Sequence, residues 1–561
     1  MDFETILRDV GDFGRYQKSL LLKFMVPTTF ASAFYVLNVI FMVATPDHWC
    51  LVPQLSALNL TEQQIKNFAI PILPEGSFSK CTMYAYNYAS VAAEYKSTGK
   101  LPEMNSGKKI LIKPIRKCND GWVYQKEWYE ETIVSQWDLV CDNNYLPSLV
   151  LTLANAGSVF GTFVFSIVAD RHGRKAAFLT NIAVAAVSGI LSIFSPIFAV
   201  FAILRMLTGS TVPANFQLPY IITVEQVGPR QRAWLVCISW LLWTTGACCL
   251  SLVAYLSRHW TTLGLVTTMP IITFIVYAKY LKSSPRYLIT QGRCEEAAAL
   301  IEAIAETNGF KPPTELLQNL KKISENVKNE DVKATSESLF DLFKYPQLRK
   351  KLFIVTLNWS AIAVAYFGLT LNVTNLGKND FLNFFLLCAV ELPAFPLALV
   401  VMEKIGRRWS NTVFVLLTGI ACLVPSFLTK DAGTSAIVAS MLGKFGSAAA
   451  FMVIYQQAAE LYPTSVRALG MGIGSVVSSL AVICMPYVCY LGIYNKAIPF
   501  LIIGALCVSA GLVAPLVPET LHRHLPQTIQ DSEEFGTGKG CFPCCSNNEK
   551  DEHEIENTQN V

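Results

Sequence analysis

At 561 residues, 52% apolar and only 15% charged, with a mean hydropathy of +0.39, the chain is too hydrophobic for a soluble protein of its length. Its formal net charge of +4 gives no support to nucleic-acid binding and serves better to orient a membrane protein. No nucleophile–base pair, metal-ligand constellation or phosphate loop is present, so neither an enzyme nor a cofactor or metal is expected.

Residues 1–21 mix acids and bases without a secretory signal and read as a polar cytoplasmic segment. Apolar stretches of about 20 residues then predict spans near 22–44, 146–169, 176–195, 197–222, 233–256 and 260–281, and again near 352–374, 381–402, 409–429, 434–457, 468–491 and 497–518. The expectation is an all-α membrane protein of about twelve helices, with one six-helix half at 22–281 and the other at 352–518. A cytoplasmic helical loop at 282–351 joins them, and a polar, disordered cytoplasmic tail follows at 519–561. The basic connections, among them Arg171, Arg174, Lys175, Arg232, Lys404, Arg407 and Arg408, fall on one side, which the positive-inside rule makes cytoplasmic.

The segment 45–145 on the other side is far longer than a helix connection requires and reads as a small extracellular domain. It holds Cys50, Cys81, Cys118 and Cys141, an even number in an oxidising compartment. Two disulfides are expected, with three connectivities open. Asn59-Leu60-Thr61 is a glycosylation sequon in the same segment; those at Asn358 and Asn372 lie inside or against the membrane. In the tail, Cys541, Cys544 and Cys545 are candidates for acylation or metal binding, without partners at metal spacing.

One signature occurs twice. Asp170-Arg171-His172-Gly173-Arg174-Lys175 returns 233 positions later as Glu403-Lys404-Ile405-Gly406-Arg407-Arg408, and Glu225 with Arg232 returns 235 positions later as Glu460 with Arg467. Two matches at nearly the same offset identify two homologous halves. Each signature fits a short turn at the membrane surface, where glycine relieves backbone crowding and the charges stay wet. The expected role is a gate: Asp170 and Glu225 accept hydrogen bonds from Arg174 or Arg232 when the helix ends are close and release them when the ends part. Exposed pairs of this kind contribute roughly 0–1 kcal/mol each, a suitable strength for a latch that must open.

With these motifs the chain resembles the organic cation, anion and zwitterion transporters of the major facilitator superfamily. The marks of the resemblance are Thr45-Pro46-Asp47-His48-Trp49-Cys50, Trp137-Asp138-Leu139-Val140-Cys141-Asp142, Glu225-Gln226-Val227-Gly228, Ser284-Pro285-Arg286, Glu391-Leu392-Pro393-Ala394, Gly443-Lys444-Phe445, Glu460-Leu461-Tyr462-Pro463-Thr464 and Pro518-Glu519-Thr520-Leu521. The resemblance spans nearly the whole chain and implies a plasma-membrane carrier of small charged organic solutes working by alternating access. It also implies substrate contacts at Glu391, Trp359, Tyr366, Trp240 and Trp243.

Chemistry supports the same choice, since an organic cation needs aromatic faces and a balancing carboxylate. Glu391 falls within the eighth span, where an unpaired carboxylate is costly, so it faces a wet cavity or a cationic partner. Pro393 and Pro396 are expected to break the helix there. Lys444 in the tenth span pairs with an acid or meets an anionic substrate group, and Arg205 in the fourth poses the same choice. Departures from the family pattern are equally specific. Ser479 stands where cation carriers place aspartate and anion carriers arginine, Phe395 replaces a lysine of the anion branch, and Lys282-Ser283 replace Pro-Glu before Ser284. The reading is a carrier of small organic cations, amines or zwitterions, carnitine-like ones included. The alternatives are an organic anion carrier or a transporter-shaped ligand sensor without turnover. A co-transported ion leaves no mark in the sequence.

Overall fold

The computed structural model describes residues 3–73, 76–101, 114–277, 281–311, 315–334, 339–376, 379–427, 432–463, 466–521, 523, 526 and 529–535. Among them nine helices are long and apolar enough to cross a membrane, beginning with Arg15–Met42, Cys141–His172 and Arg174–Ile193 and ending with Ala497–Leu516. The other three predicted spans are helical too. The fourth is divided into Phe198–Ser210 and Val212–Val224, the sixth runs Trp260–Val276, and the ninth is Arg407–Phe427. The fourth was expected as one span; it breaks at Thr211 because Pro213 brings no N–H to a continuing helix.

Apolar side chains point outward along these helices, as at Phe160, Phe163 and Ile167 of the second span, Leu252 and Leu256 of the fifth and Leu397 and Val400 of the eighth. Such a surface suits hydrocarbon, where every backbone polar group must bond within the helix. Inside the bundle the second and fourth spans meet backbone to backbone: a Cβ at Gly157 would strike the carbonyl of Met206, and one at Gly161 that of Ser210. Small residues four apart allow this close approach.

The described part of the 45–145 segment has a core of its own, while Tyr129, Ile133 and Leu139 join that of the bundle. Strand His48–Cys50 pairs antiparallel with Trp122–Tyr124, and Thr82–Tyr84 with Ile115–Lys117, over a core including Trp49, Leu55, Ile65, Phe68 and Met83. Of the three possible connectivities the structure has Cys50–Cys118 and Cys81–Cys141, and Asn59 is exposed. The Cys50–Cys118 bridge closes a separation of 68 residues, for which the chain-entropy relation gives about 4 kcal/mol. Replacing both cysteines with serine is therefore expected to leave most of the protein retained inside the cell. Surface biotinylation at equal synthesis checks this, and a normal surface level would show the domain holding without the bridge.

The opposite face carries the basic turns. Residues 1–21, expected as a plain polar segment, form helices Phe3–Asp9 and Arg15–Leu20, the second continuing into the first span. Phe3, Ile6 and Leu7 bury against Pro285–Thr290 and Cys294–Asn308 of the connecting loop. Asn308 ties the two together: its Oδ1 accepts from the Tyr16 N–H at 2.9 Å, and its Nδ2 donates to the Val10 carbonyl at 3.0 Å. Helix Cys294–Asn308 ends in a left-handed cap at Gly309, φ 82°. The tail is not wholly disordered as expected. Ile529–Glu534 packs on the seventh span, where Lys351 Nζ donates to the carbonyls of Ser532 and Phe535 and Glu533 accepts from two N–H groups at the start of helix Pro346–Leu371. Cys541, Cys544 and Cys545 lie outside the described residues.

Candidate functional site

Glu391 stands at a break in the eighth span. Helix Asp380–Ala389 ends, Val390 turns, and Glu391 opens helix Glu391–Ile405. The break precedes Glu391 and does not fall at Pro393 and Pro396 as expected: Pro393 lies in the first turn, where proline is tolerated, and Pro396 is carried inside helix Glu391–Ile405. A carboxylate there also meets the favourable end of the helix dipole.

Glu391 is 2% exposed and Lys444 1%. Lys444 Nζ lies 3.1 Å from Glu391 Oε1 and donates to Thr370 Oγ1 at 2.6 Å and to the Tyr366 carbonyl at 3.0 Å, so its three donors are all used. The ammonium also sits over the Tyr366 ring. Glu391 Oε2 accepts from Thr244 Oγ1 at 2.8 Å and from the Tyr366 hydroxyl at 3.1 Å. Thr244 comes from the other half of the chain, so the carboxylate bridges the two halves. Both charges are taken out of water, and complete hydrogen bonding is what makes that tolerable.

The aromatics expected at the site form one connected set, but through rings that sequence reasoning missed. Trp240 stacks on Phe395 at 5.6 Å and meets Phe216 at 4.8 Å and Phe451 at 5.7 Å. Trp243 joins through Phe216, Tyr366 through Phe451, and Trp359 through Tyr455, which stacks on Phe451. A signal was present in the tenth span: Lys444, Phe451 and Tyr455 fall at intervals of seven and four, one helical face. Thr244 likewise follows Trp240 by four. Ser479 is half-buried in the eleventh span and has no hydrogen bond to the Glu391–Lys444 pair; that span reaches the site through Gly474, which packs on Trp359. Arg205 is buried apart from this pair. It donates to Asn38 Oδ1 at 3.3 Å, lies over Phe201, and has no carboxylate partner among the described residues.

On the face carrying the 45–145 domain the halves are joined. Phe41 stacks on Phe381 at 5.2 Å and meets Phe384 edge-on, Tyr129 donates to Asp380 Oδ2 at 3.1 Å, and Tyr490 to Asn144 Oδ1 at 2.6 Å. Burial first, and the Asp380 carboxylate second, push the Tyr129 phenol well above its ordinary value, so it stays a donor.

On the opposite face each charge cluster closes within its own half. Arg174 Nε donates to Glu225 Oε1 at 3.0 Å and Nη1 reaches Asp170 at 3.5 Å; Arg407 lies 3.0 Å from Glu403 and 3.1 Å from Glu460. Both arginines also donate to a carbonyl five residues back, Ala169 and Met402. Gly173 and Gly406 take the same positive φ, 89° and 96°, which only glycine adopts without strain. Two expected donors go elsewhere. Arg232 bonds Glu4 at 3.0 Å, because the N-terminal helix brings an acid beside it, and Arg467 donates to the Tyr462 carbonyl at 3.2 Å while Arg407 takes Glu460. Arg171 is exposed, and its carbonyl accepts from the Tyr287 hydroxyl.

The duplicated charge turns and a bundle of spans around a buried ion pair are the anatomy of a carrier, and the family described as sugar (and other) transporter matches residues 77–530. The chain belongs to that family. As a sugar (and other) transporter family member it is a multi-pass membrane transporter, and its kinship lies with the organic ion transporters. It is 33% identical to the carcinine transporter of Drosophila melanogaster over 97% of this chain and 81% of that one. To the beta-alanine transporter of the same organism it is 33% identical over 95% and 89%. In fold this family member resembles the major facilitator superfamily proton:xylose symporter XylE, with a TM-score of 0.53 at 18% identity over 70% of this chain and 89% of that one.

Proposed function

We propose that the protein carries small organic cations, amines and zwitterions across the plasma membrane by alternating access, with the basic face and both termini cytoplasmic. The observation that carries this reading is the Glu391–Lys444 pair, buried among aromatic rings and bonded to both halves of the chain. An ammonium entering the site takes Glu391, stacks against the faces of Trp240, Trp243, Tyr366 and Trp359, and frees Lys444 for a carboxylate if the solute has one. A zwitterion such as beta-alanine, the solute named for one relative, replaces both charges of the pair at once and so leaves neither ion buried alone. Carcinine, named for the other, is an amine and uses the Glu391 half. The neutral Ser479 offers a hydroxyl and adds no charge against either class.

Alternation follows from where the halves touch. Contacts of Phe41, Tyr129 and Tyr490 between the halves support a closed extracellular side in this reading, and Glu391 with Thr244 joins the halves at mid-depth. Asp170, Arg171, Arg174, Glu225 and Arg232, with Glu403, Arg407, Glu460 and Arg467, are the cytoplasmic charge network that rearranges as that side opens and closes. In this orientation the exposed Asn59 is a glycan acceptor. An organic anion carrier is the second reading, favoured by Arg205, a buried guanidinium without a carboxylate partner among the described residues.

Uptake of a labelled quaternary ammonium, labelled beta-alanine and a labelled aromatic carboxylate, compared in cells with verified surface expression, tests the assignment. Beta-alanine and the ammonium are expected to exceed the carboxylate by roughly tenfold, the equivalent of about 1.4 kcal/mol. A leading carboxylate would move the site to Arg205, and binding without flux of any of the three would make the protein a sensor.

A further inference from the structure

The two cytoplasmic charge turns are copies, yet one lacks an acid that the other has. In the second half, Glu519 follows the last span and its carboxylate caps helix Arg407–Phe427, accepting from the N–H groups of Arg407 at 2.8 Å and Arg408 at 3.1 Å. Thr520 beside it donates to Glu460 Oε2 at 2.6 Å. There Lys404, Arg407 and Arg408 are matched by Glu403, Glu460 and Glu519. In the first half Ser283 and Ser284 follow the sixth span as Glu519 and Thr520 follow the twelfth, 236 positions earlier, one more than the offset of Glu225 from Glu460. Among the described residues Asp170 and Glu225 pair with Arg174, no third acid joins them, and helix Arg174–Ile193 has no side-chain cap.

A cavity of about 260 Å³ lies at this place, lined by Arg174, Glu225, Arg286, Tyr287 and Thr290. Arg286 has no acid partner among the described residues. Ser284, 4% exposed, leaves its Oγ without a partner, and so does Oε2 of Glu225, the two atoms whose counterparts in the second half bond each other. Tyr287 packs against Gly173 and Arg174, and the opening lies between those contacts and Arg286.

We propose that this cavity is a phosphate site, holding in the first half an anion where Glu519 stands in the second. Two guanidiniums and an uncapped helix start supply the donors. Of the two sources of phosphate, one is covalent. Ser283 is partly exposed on irregular backbone, as a kinase requires. Transfer of the γ-phosphoryl of ATP forms a P–O bond to Ser283 Oγ, breaks the β–γ anhydride to release ADP, and sends the hydroxyl proton to solvent. The other source is free phosphate from the cytosol. Either draws the segment 282–286 onto the Arg174 cluster and favours closure of the cytoplasmic side, a consequence that rests on the transport reading.

Thermal unfolding of the purified full chain tests the site without relying on transport. Inorganic phosphate is expected to raise the wild-type midpoint by about 1–3 °C, given the size of a charge–dipole contact at a helix start. Ser283→Glu is expected to begin higher by a similar amount and lose the response, and Arg286→Gln to lose the response without that gain. A wild type indifferent to phosphate together with an unshifted Ser283→Glu would overturn the proposal, as would a full phosphate response retained in Ser283→Glu. Mass analysis of the Ser283 peptide from cells separates the sources: phosphoserine assigns the ester, and an unmodified serine beside a phosphate response assigns free phosphate. In uptake, Ser283→Glu is expected to lower the apparent KM for external substrate by roughly two- to fivefold through a larger outward-facing population.

Discussion

Glu391→Gln is expected to reduce uptake of a permanent organic cation by about 100-fold or more, while protein still reaches the surface. The amide keeps the shape of the side chain and accepts from Thr244 and Tyr366, but it cannot balance a buried positive charge. It also strands Lys444, now a desolvated ammonium facing a neutral group 3.1 Å away; removing one partner of such a pair costs about 3–5 kcal/mol. Lost stability and lost transport are separable. In Glu391→Gln combined with Lys444→Met the stranded charge is gone and an unbranched apolar chain fills its space, so stability is expected to return towards that of the wild type. Cation uptake is not expected to return, because the carboxylate is still missing. The measurement is radiotracer uptake per surface copy, with thermal unfolding of the purified variants alongside. Wild-type cation uptake in either variant would remove Glu391 from the site.

The spans were legible because hydropathy alone dictates them, and the duplicated turn was legible because glycine, arginine and acids recur at one offset. Glu391 and Lys444 were each marked by the cost of an ion in hydrocarbon, which requires a partner without naming it. What remained hidden depends on chain segments meeting from far apart. Arg232 and Glu225 are close in sequence, yet Arg232 turns to Glu4, since a helix of the N-terminal segment docks there. Phe216, Phe395 and Phe451 carry the aromatic network, but a phenylalanine in an apolar helix looks the same whether it faces a ring, a neighbour or lipid. Thr244 is equally anonymous until its hydroxyl is seen on Glu391. The disulfide pairing also required the fold, because four cysteines in one loop permit three solutions.

Arg407→Gln is expected to destabilise the protein several times more than Arg174→Gln, although the two arginines are copies of one another. The difference lies in their surroundings. The Arg407 side chain is 9% exposed and that of Arg174 24%. Glu460, the acid Arg407 would leave behind, is fixed further by Thr520 and Gln456, each at 2.6 Å, and cannot swing out to water. Its stranding belongs with buried pairs, about 3–5 kcal/mol. Glu225 has one oxygen without a partner and the cavity of about 260 Å³ beside it, so solvent replaces much of what Arg174 provided and the loss is nearer to about 1 kcal/mol. Midpoints of thermal unfolding for the two variants, measured in the same detergent, check the order. Equal shifts would mean that the missing acid at Ser283 has no energetic consequence. The expected inequality would mark the first half as the looser of the two cytoplasmic clusters, the one that gives way when the carrier opens to the cytosol.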